Sequence, residues 1–354
     1  MYKPKLRYLC ILANSRSLWP QATVIKYMNS NGIVPYAICQ LPRDVETINR
    51  DGMHVNFVNS INEIPSDYDV ALSQSAGLDP FEKGCLLKSH ELGKVNIKLH
   101  NSMSTYNTLV NIHYTEQRIA GRIDGICMKE QRAVDHFKRF NNKVFYLKTG
   151  DPDWDYLKTQ EFYKSTSKLV SKNGKKVLLI CNSFDCGEIE SKFIRLIVKW
   201  AVELGFKVFI RIHPGNERNT PQDLLKYVAP NVHRYTMLAS VSHVIGEMAS
   251  TIIGECHMLG VKVGSYPLAP HTIKYGQHEW VDNLPVWRAK IEKQVGSELL
   301  SKVPFVHTTG TLREFLSSST PIVNSSEADK LWGWPKADSY ASYLFECLEG
   351  KLRA

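Results

Sequence analysis

The chain has 354 residues, 43% hydrophobic and 22% charged, with 21 Gly and 16 Pro; it is long enough for two domains with separate cores, and its composition excludes a disordered, collagenous or low-complexity protein. No apolar run reaches the roughly 18 residues that a membrane span needs, and Met1-Tyr2-Lys3-Pro4-Lys5 leads into a strand-like segment instead of the apolar core of a signal peptide. The formal net charge is +9, and residues 83–148 carry 12 Lys/Arg against 5 Asp/Glu, an excess that suits either a polyanionic partner or a solvated basic face.

Short apolar runs alternate with amphipathic stretches, the sequence form of βαβ units around parallel sheets. In the first half strands are predicted at Leu6–Leu12, Val34–Gln40, His54–Val58, Val70–Ser73, Val95–His100, Gly125–Met128 and Val144–Lys148. A helix over Trp19–Ser30 follows the polar turn Asn14-Ser15-Arg16-Ser17, and one over Phe81–Leu92 follows Asp79-Pro80, an N-cap with Pro at the first turn. Val134, Phe137 and Phe140 place an apolar stripe on a helix starting near Lys129. A Lys-rich connector around Asn173-Gly174 precedes a second series. It comprises a strand at Val177–Cys181, a helix at Glu188–Leu204 stopped by Gly205, a strand at Val208–Ile212, a helix at Pro221–Val228, a short strand near Val232–Tyr235, a helix over Ile252–Leu259 stopped by Gly260, and a strand at Val261–Tyr266. A last helical stretch from about Ala328 to Leu352 has Tyr340, Tyr343, Leu344 and Leu348 on one face. The eight cysteines form no CxxC pair, and Cys10, Cys39, Cys127 and Cys181 lie within apolar strands, which predicts reduced thiols in a cytoplasmic protein without structural zinc.

Ligands of open parallel sheets sit beyond the carboxyl ends of the strands, so the polar residues after each apolar run are the candidates for chemistry. Arg211 and His213, in Arg211-Ile212-His213-Pro214-Gly215, stand at a strand tip where charge-assisted hydrogen bonds to phosphate are available; as a bare tripeptide, His213-Pro214-Gly215 is equally a surface turn. Ser250 and Thr251 open a helix and offer hydroxyls and free backbone N–H groups to a diphosphate, while Glu255, one turn on, offers a carboxylate to a ribose diol; otherwise the helix is simply N-capped and buried and Glu255 is merely exposed. His100, at the tip of Val95–His100, has the unperturbed pKa of a general base near neutrality, or else is a histidine held by its loop. Asp151, Asp153 and Asp155 alternate as a divalent-metal site would, but Gly150-Asp151-Pro152 is also good turn chemistry and the turn is preferred.

In this order, the four places resemble the GT-B superfamily of nucleotide-sugar enzymes, among them the CDP-glycerol glycerophosphotransferases and the UDP-N-acetylglucosamine 2-epimerases. His100-Asn101-Ser102 resembles their His-Gly-Thr, Gly150 to Asp155 their Gly-x-Pro-x-x-Asp, Arg211-Ile212-His213-Pro214 their basic-x-His-Pro, and Ser250-Thr251 with Glu255 their hydroxyl pair and following Glu. Asn101, Met248 and Lys262 depart from the pattern, where the family has Gly, often Asp, and Pro. The resemblance implies an α/β fold of two Rossmann-like, doubly wound domains facing a cleft: residues 1–160 bind the acceptor, residues 161–330 bind the nucleotide sugar, and residues 331–354 form a helix crossing back to the first domain.

It further implies a metal-independent transferase, with a nucleotide sugar, UDP-sugar favoured, as co-substrate and no other cofactor. His100 is then the catalytic base; Arg211, His213, Ser250 and Thr251 hold the leaving diphosphate and Glu255 the ribose. The basic first domain suggests an anionic acceptor, and a compact basic transferase is similar in plan to phage enzymes that glycosylate hydroxymethylated cytosine in DNA. An epimerase acting on a free UDP-sugar is the main rival. It needs carboxylates in the first domain, for which Asp79 and Glu116 are the candidates, together with His213 as an acid/base group. A cell-envelope polymer as acceptor and a non-catalytic binding protein are the other readings.

Overall fold

A computed structural model describes residues 2–13, 18–74, 79–99, 122–128, 134–135, 138, 143–150, 176–182, 187–212, 220–230, 232, 234–247, 251–266, 303–306, 308–318 and 339–354. The chain divides into two compact units, Met1–Tyr156 with Gly333–Ala354, and Leu157–Trp332.

Unit 1 is built on a seven-stranded parallel sheet in the order β3-β2-β1-β4-β5-β6-β7. Its strands are β1 (Tyr8–Leu12), β2 (Tyr36–Cys39), β3 (Asn56–Val58), β4 (Val70–Ser73), β5 (Val95–Leu99), β6 (Gly125–Met128) and β7 (Phe145–Lys148), each within two residues of its expected position. Helices α1 (Leu18–Ser30), α2 (Pro42–Arg50) and α3 (Pro80–Glu91) connect them. Asp79 caps α3 by accepting from the Phe81 N–H at 2.8 Å, with Pro80 at the first turn. Helix α2 was not foreseen: it is nine residues long, mostly polar, and buries only Asp44 and Ile48, too few apolar residues to mark it in the sequence. Val134 is buried, but Phe137 and Phe140 lie outside the described residues.

Because successive strand residues face opposite ways, the sheet has two apolar faces. One carries Tyr8, Cys10, Leu12, Leu72, Ile97 and Leu99 against α1. Packed with them are Tyr340, Leu344, Phe345 and Leu348 of the last helix, Tyr340–Arg353 (α8 below). The Phe345 ring meets Tyr8 edge-on at 5.0 Å and stacks on Tyr27 at 6.0 Å. The buried Glu349 of this helix accepts from the Tyr8 hydroxyl at 2.7 Å, the Lys5 N–H at 2.8 Å, the Tyr2 hydroxyl at 2.9 Å, the Leu6 N–H at 3.1 Å and Arg353 Nη2 at 2.8 Å. The other face carries Leu9, Ile11, Ile38, Ala71, Ile126 and Tyr146 against Cys85 and Leu86 of α3.

Unit 2 contains a four-stranded parallel sheet in the order β11-β10-β8-β9. Its elements are β8 (Val177–Asn182), α4 (Gly187–Glu203), β9 (Lys207–Ile212), a 3₁₀ turn (Gln222–Tyr227), α5 (Arg234–Ala239), β10 (His243–Glu247), α6 (Thr251–Met258), β11 (Lys262–Tyr266) and α7 (Thr309–Ser317), before α8 (Tyr340–Arg353) returns the chain to unit 1. Gly205 and Gly260 end α4 and α6 with φ of 81° and 66°, the left-handed geometry that glycine adopts without strain. Two expectations are corrected. The helix at Pro221–Val228 is only a 3₁₀ turn with Leu224 buried, and the segment read as a strand near Val232–Tyr235 starts α5, in which Tyr235, Thr236, Met237 and Leu238 are all buried. A short run buried all round has no periodicity to tell strand from helix. For the same reason β10 escaped notice.

Among the described residues Cys10, Cys39, Cys85, Cys127, Cys181, Cys256 and Cys347 form no disulfide, and all are at least partly buried. Burial pushes the Cys39 and Cys85 thiols up to about 12, leaving them protonated and inert at neutral pH.

Candidate functional site

The carboxyl edge of the unit 2 sheet gathers several polar side chains that the sequence scatters. Asn182 ends β8, and its amide donates to Glu190 Oε1 of α4 and to the Tyr266 hydroxyl at the end of β11, each at 2.5 Å. The Tyr266 hydroxyl also donates to Glu190 Oε1 at 3.3 Å. All three residues are buried, so this cluster holds the ends of β8 and β11 and the first turn of α4 in fixed register.

Beside Asn182, Arg211 projects from β9 as the partner of Cys181 in the β8–β9 register. Its guanidinium is partly buried and donates to the Val232 carbonyl at 3.4 Å. Burial lowers its pKa, and the nearby Arg234 adds to this, while Cys181 and Glu255 oppose it. Arg234, the first residue of α5, reaches Glu255 Oε1 of α6 at 3.1 Å and lies over the Tyr235 ring at 4.8 Å. Glu255 is 6% exposed. It sits four residues after Thr251, which opens α6, or about 6 Å along the axis at about 1.5 Å per residue. Arg234 thus pairs with Glu255, and Arg211 lies near enough to both to feel their charges, on the side of the sheet where the N-terminus of α6 adds a partial positive charge. Such an arrangement attracts an anion carrying polar hydroxyls.

The structure therefore brings Arg211 and Glu255 into one electrostatic neighbourhood and adds Arg234, which sequence reasoning missed. Read as part of a strand, Arg234 belonged to no strand tip; as the start of α5 it turns toward α6. Thr251 lies at the start of α6 in backbone terms. His100, His213 and Ser250 lie outside the described residues, as do Asp151, Asp153, Asp155 and Glu116; β5 ends at Leu99 and β9 at Ile212, each one residue short of the expected histidine. Gly150, just ahead of the aspartates, has φ of 86°, which agrees with a turn. Asp79 is committed to capping α3. Among the described residues no group of three His, Cys, Asp or Glu side chains is placed to hold a metal ion, and no helix is long and apolar enough to cross a membrane.

Within the basic stretch the described side chains differ in exposure. Lys138 and Lys143 are exposed, Lys83, Lys88, Lys94 and Arg122 are half-buried, and Lys98 is buried. Lys94 lies over the Tyr68 ring at 5.7 Å. Lys262, where the family pattern has Pro, caps α7 by donating to the carbonyls of Phe315 and Ser318.

Two Rossmann-like units of this topology match solved structures along nearly the whole chain. The structure is similar to a UDP-GlcNAc 2-epimerase from Neisseria meningitidis bound to UDP-GlcNAc, with TM-score 0.63, 12% identity and coverage of 99% of this chain and 100% of that one. The fold is GT-B. Spinosyn forosaminyltransferase SpnP matches with TM-score 0.57 and 12% identity over 99% of this chain and 100% of that one. MurG from Acinetobacter baumannii matches with TM-score 0.51 and 11% identity over 96% and 99%. No protein-family model and no curated protein sequence matches the chain. At these identities the GT-B likeness establishes architecture, and function has to be argued from the site.

Proposed function

We propose that this GT-B chain is a glycosyltransferase that moves a sugar from a nucleotide sugar, a UDP-sugar in the first instance, to a hydroxyl of an anionic acceptor. The observation that carries the reading is the Arg211–Arg234–Glu255 neighbourhood beside the start of α6, in a fold whose solved examples include transferases and a UDP-GlcNAc-bound epimerase. In this reading Arg211, Arg234, His213, Ser250 and Thr251 face the diphosphate, and Glu255 keeps one oxygen on Arg234 while the carboxylate serves the ribose diol. His100, one residue beyond β5, takes the proton of the acceptor hydroxyl as its oxygen forms the bond to the anomeric carbon. The bond from that carbon to the diphosphate oxygen breaks, and the electron pair leaves with the nucleoside diphosphate. Positive charge from the arginines and the helix dipole neutralises the leaving group, and no metal is needed for that task.

The acceptor we favour is hydroxymethylated cytosine in DNA, on the strength of the excess of Lys/Arg between residues 83 and 148. The epimerase remains the rival because of its full-length structural match. Against it stands the use of Asp79, one of the two candidate carboxylates, as a helix cap.

Thermal-shift and calorimetric titration with UDP, CDP and their sugars tests the donor side. UDP should stabilise the wild-type chain, and Glu255→Ala should weaken the effect; no response to any nucleotide refutes the reading. A UDP-sugar incubated alone in heavy water should gain no deuterium on its sugar ring, since incorporation identifies an epimerase. Duplex DNA should bind with a steep salt dependence, and absence of binding at low salt removes DNA as acceptor.

A further inference from the structure

Across unit 1, the residues Ile38, Ile11, Ser73, Lys98, Ile126 and Tyr146 form one row of register partners near the carboxyl edge of the sheet. Ile38, Ile11, Ile126 and Tyr146 belong to the apolar layer beneath α3. Parallel register partners face the same way, so Ser73 and Lys98 occupy positions in that layer where an apolar side chain is the ordinary choice. Ser73 is 0% exposed and Lys98 1%. Neither the Ser73 hydroxyl nor Lys98 Nζ has a hydrogen-bond partner among the described residues, and both atoms of the Gln74 amide, on the next residue of the chain and 3% exposed, are likewise unpartnered.

The contrast one row deeper is instructive. Asn96 lies on the same face of β5, and its amide donates to the carbonyls of Leu86 and Arg122 at 3.0 and 2.7 Å. The Asn96 amide nitrogen thus has two backbone partners, though its Oδ1 has none, while the single polar atom of Lys98, two residues on, has none at all among the described residues. The buried carboxylate of Glu82, in the first turn of α3, belongs to the same side of the sheet, yet it forms no ion pair with Lys98. Burying an ammonium without a counter-charge is unfavourable by several kcal/mol, and Ser73 and Gln74 add donors and an acceptor that also lack partners. Ser73 and Gln74 stand at the end of β4, which borders the point between β1 and β4 where strand order reverses and open α/β sheets bind ligands, and Lys98 is the register partner of Ser73 on the next strand, β5.

We propose that Lys98, Ser73 and Gln74 form a binding site for an oxyanion, a phosphate or carboxylate group, carried by a ligand of unit 1. The ammonium supplies the counter-charge, and the hydroxyl and amide supply directional hydrogen bonds. Identifying that ligand with the acceptor rests on the proposed transferase function; the site itself does not. Of the two readings of the basic stretch, the solvated face does not hold at Lys98, whose side chain is buried.

The test uses the full chain with inorganic phosphate and acetate as probes, followed by calorimetry and ³¹P line broadening, with and without saturating UDP. Phosphate or acetate should bind the wild-type protein in the presence of UDP. Lys98→Met should reduce that affinity about tenfold or more, raise stability in probe-free buffer and leave the response to UDP intact. Which probe binds better separates a phosphate ligand from a carboxylate one. If Lys98→Met does not fold, Ser73→Ala and Gln74→Leu, which remove hydrogen-bonding atoms and no charge, are each expected to weaken the same binding. Phosphate binding that persists in Lys98→Met and disappears in Arg234→Met places the anion in unit 2 and overturns the proposal, as does the absence of any binding of either probe to the wild type. A chain that binds phosphate through Lys98 but ignores every nucleotide would refute the donor reading and leave this site standing.

Discussion

Replacing Glu349 should unfasten the C-terminal helix from unit 1, and the structure allows the size of the effect to be worked out. The carboxylate is fully buried and accepts from five donors. Of these donors only the Tyr8 hydroxyl is itself fully buried; Tyr2, Lys5, Leu6 and Arg353 are part-exposed and regain water when the acceptor is lost. Tyr8→Phe removes one donor from a carboxylate that keeps four, so a loss of about 1 kcal/mol is expected. Glu349→Gln sets an NH₂ group where a donor now points and removes the charge, for about 2 kcal/mol. Glu349→Leu leaves the Tyr8 hydroxyl buried without a partner and frees two backbone N–H groups; with the relief of no longer burying a charge set against that, about 3 kcal/mol is expected. Urea denaturation of the three variants should rank them in that order. Amide exchange should show protection lost at Lys5 and Leu6 in Glu349→Leu alone, since Tyr8→Phe leaves their acceptor in place. A Glu349→Leu chain as stable as wild type, or Lys5 and Leu6 amides that exchange equally fast in both, would refute the reasoning.

Arg211→Met should weaken UDP binding about tenfold or more while leaving the affinity for uridine unchanged, because a charge-assisted contact to phosphate is lost and no nucleoside contact is; equal losses for both ligands in calorimetry would argue against a diphosphate role. The buried His243 titrates at about 4, lowered by burial first and then by the charges of Lys262 and Lys176. The unfolded imidazole titrates near 6.5, so the unfolded state binds more protons between those values. Stability is therefore complete above about pH 6.5 and falls by up to about 3 kcal/mol as pH drops toward 4. His243→Phe should flatten that part of the pH–stability curve, and an unchanged slope would count against the assignment. Lys262→Met should lower the melting temperature by the equivalent of about 1–3 kcal/mol through loss of the α7 cap; a variant melting with the wild type would show that the two carbonyls are satisfied by water.

Strand positions were legible wherever an apolar run ended in a turn residue or a helix in a glycine, as at Val70–Ser73, Gly205 and Gly260, because periodicity and left-handed backbone geometry are properties of a local stretch of chain. The same local logic recognised Asp79 as a cap and Arg211 as a residue at a strand tip. It failed at α5 and β10, where a run buried on all sides looks alike in either conformation, and so it missed Arg234. What only the tertiary structure decided is which polar groups meet. Glu255 finds Arg234, Glu349 gathers the N-terminal residues Tyr2 to Tyr8, Lys262 turns inward to cap a helix some fifty residues on, and Lys98 leaves the basic stretch to lie within an apolar layer. Charge is written in the sequence, but its partner and its exposure follow from strand register and helix packing, which join residues far apart in the chain.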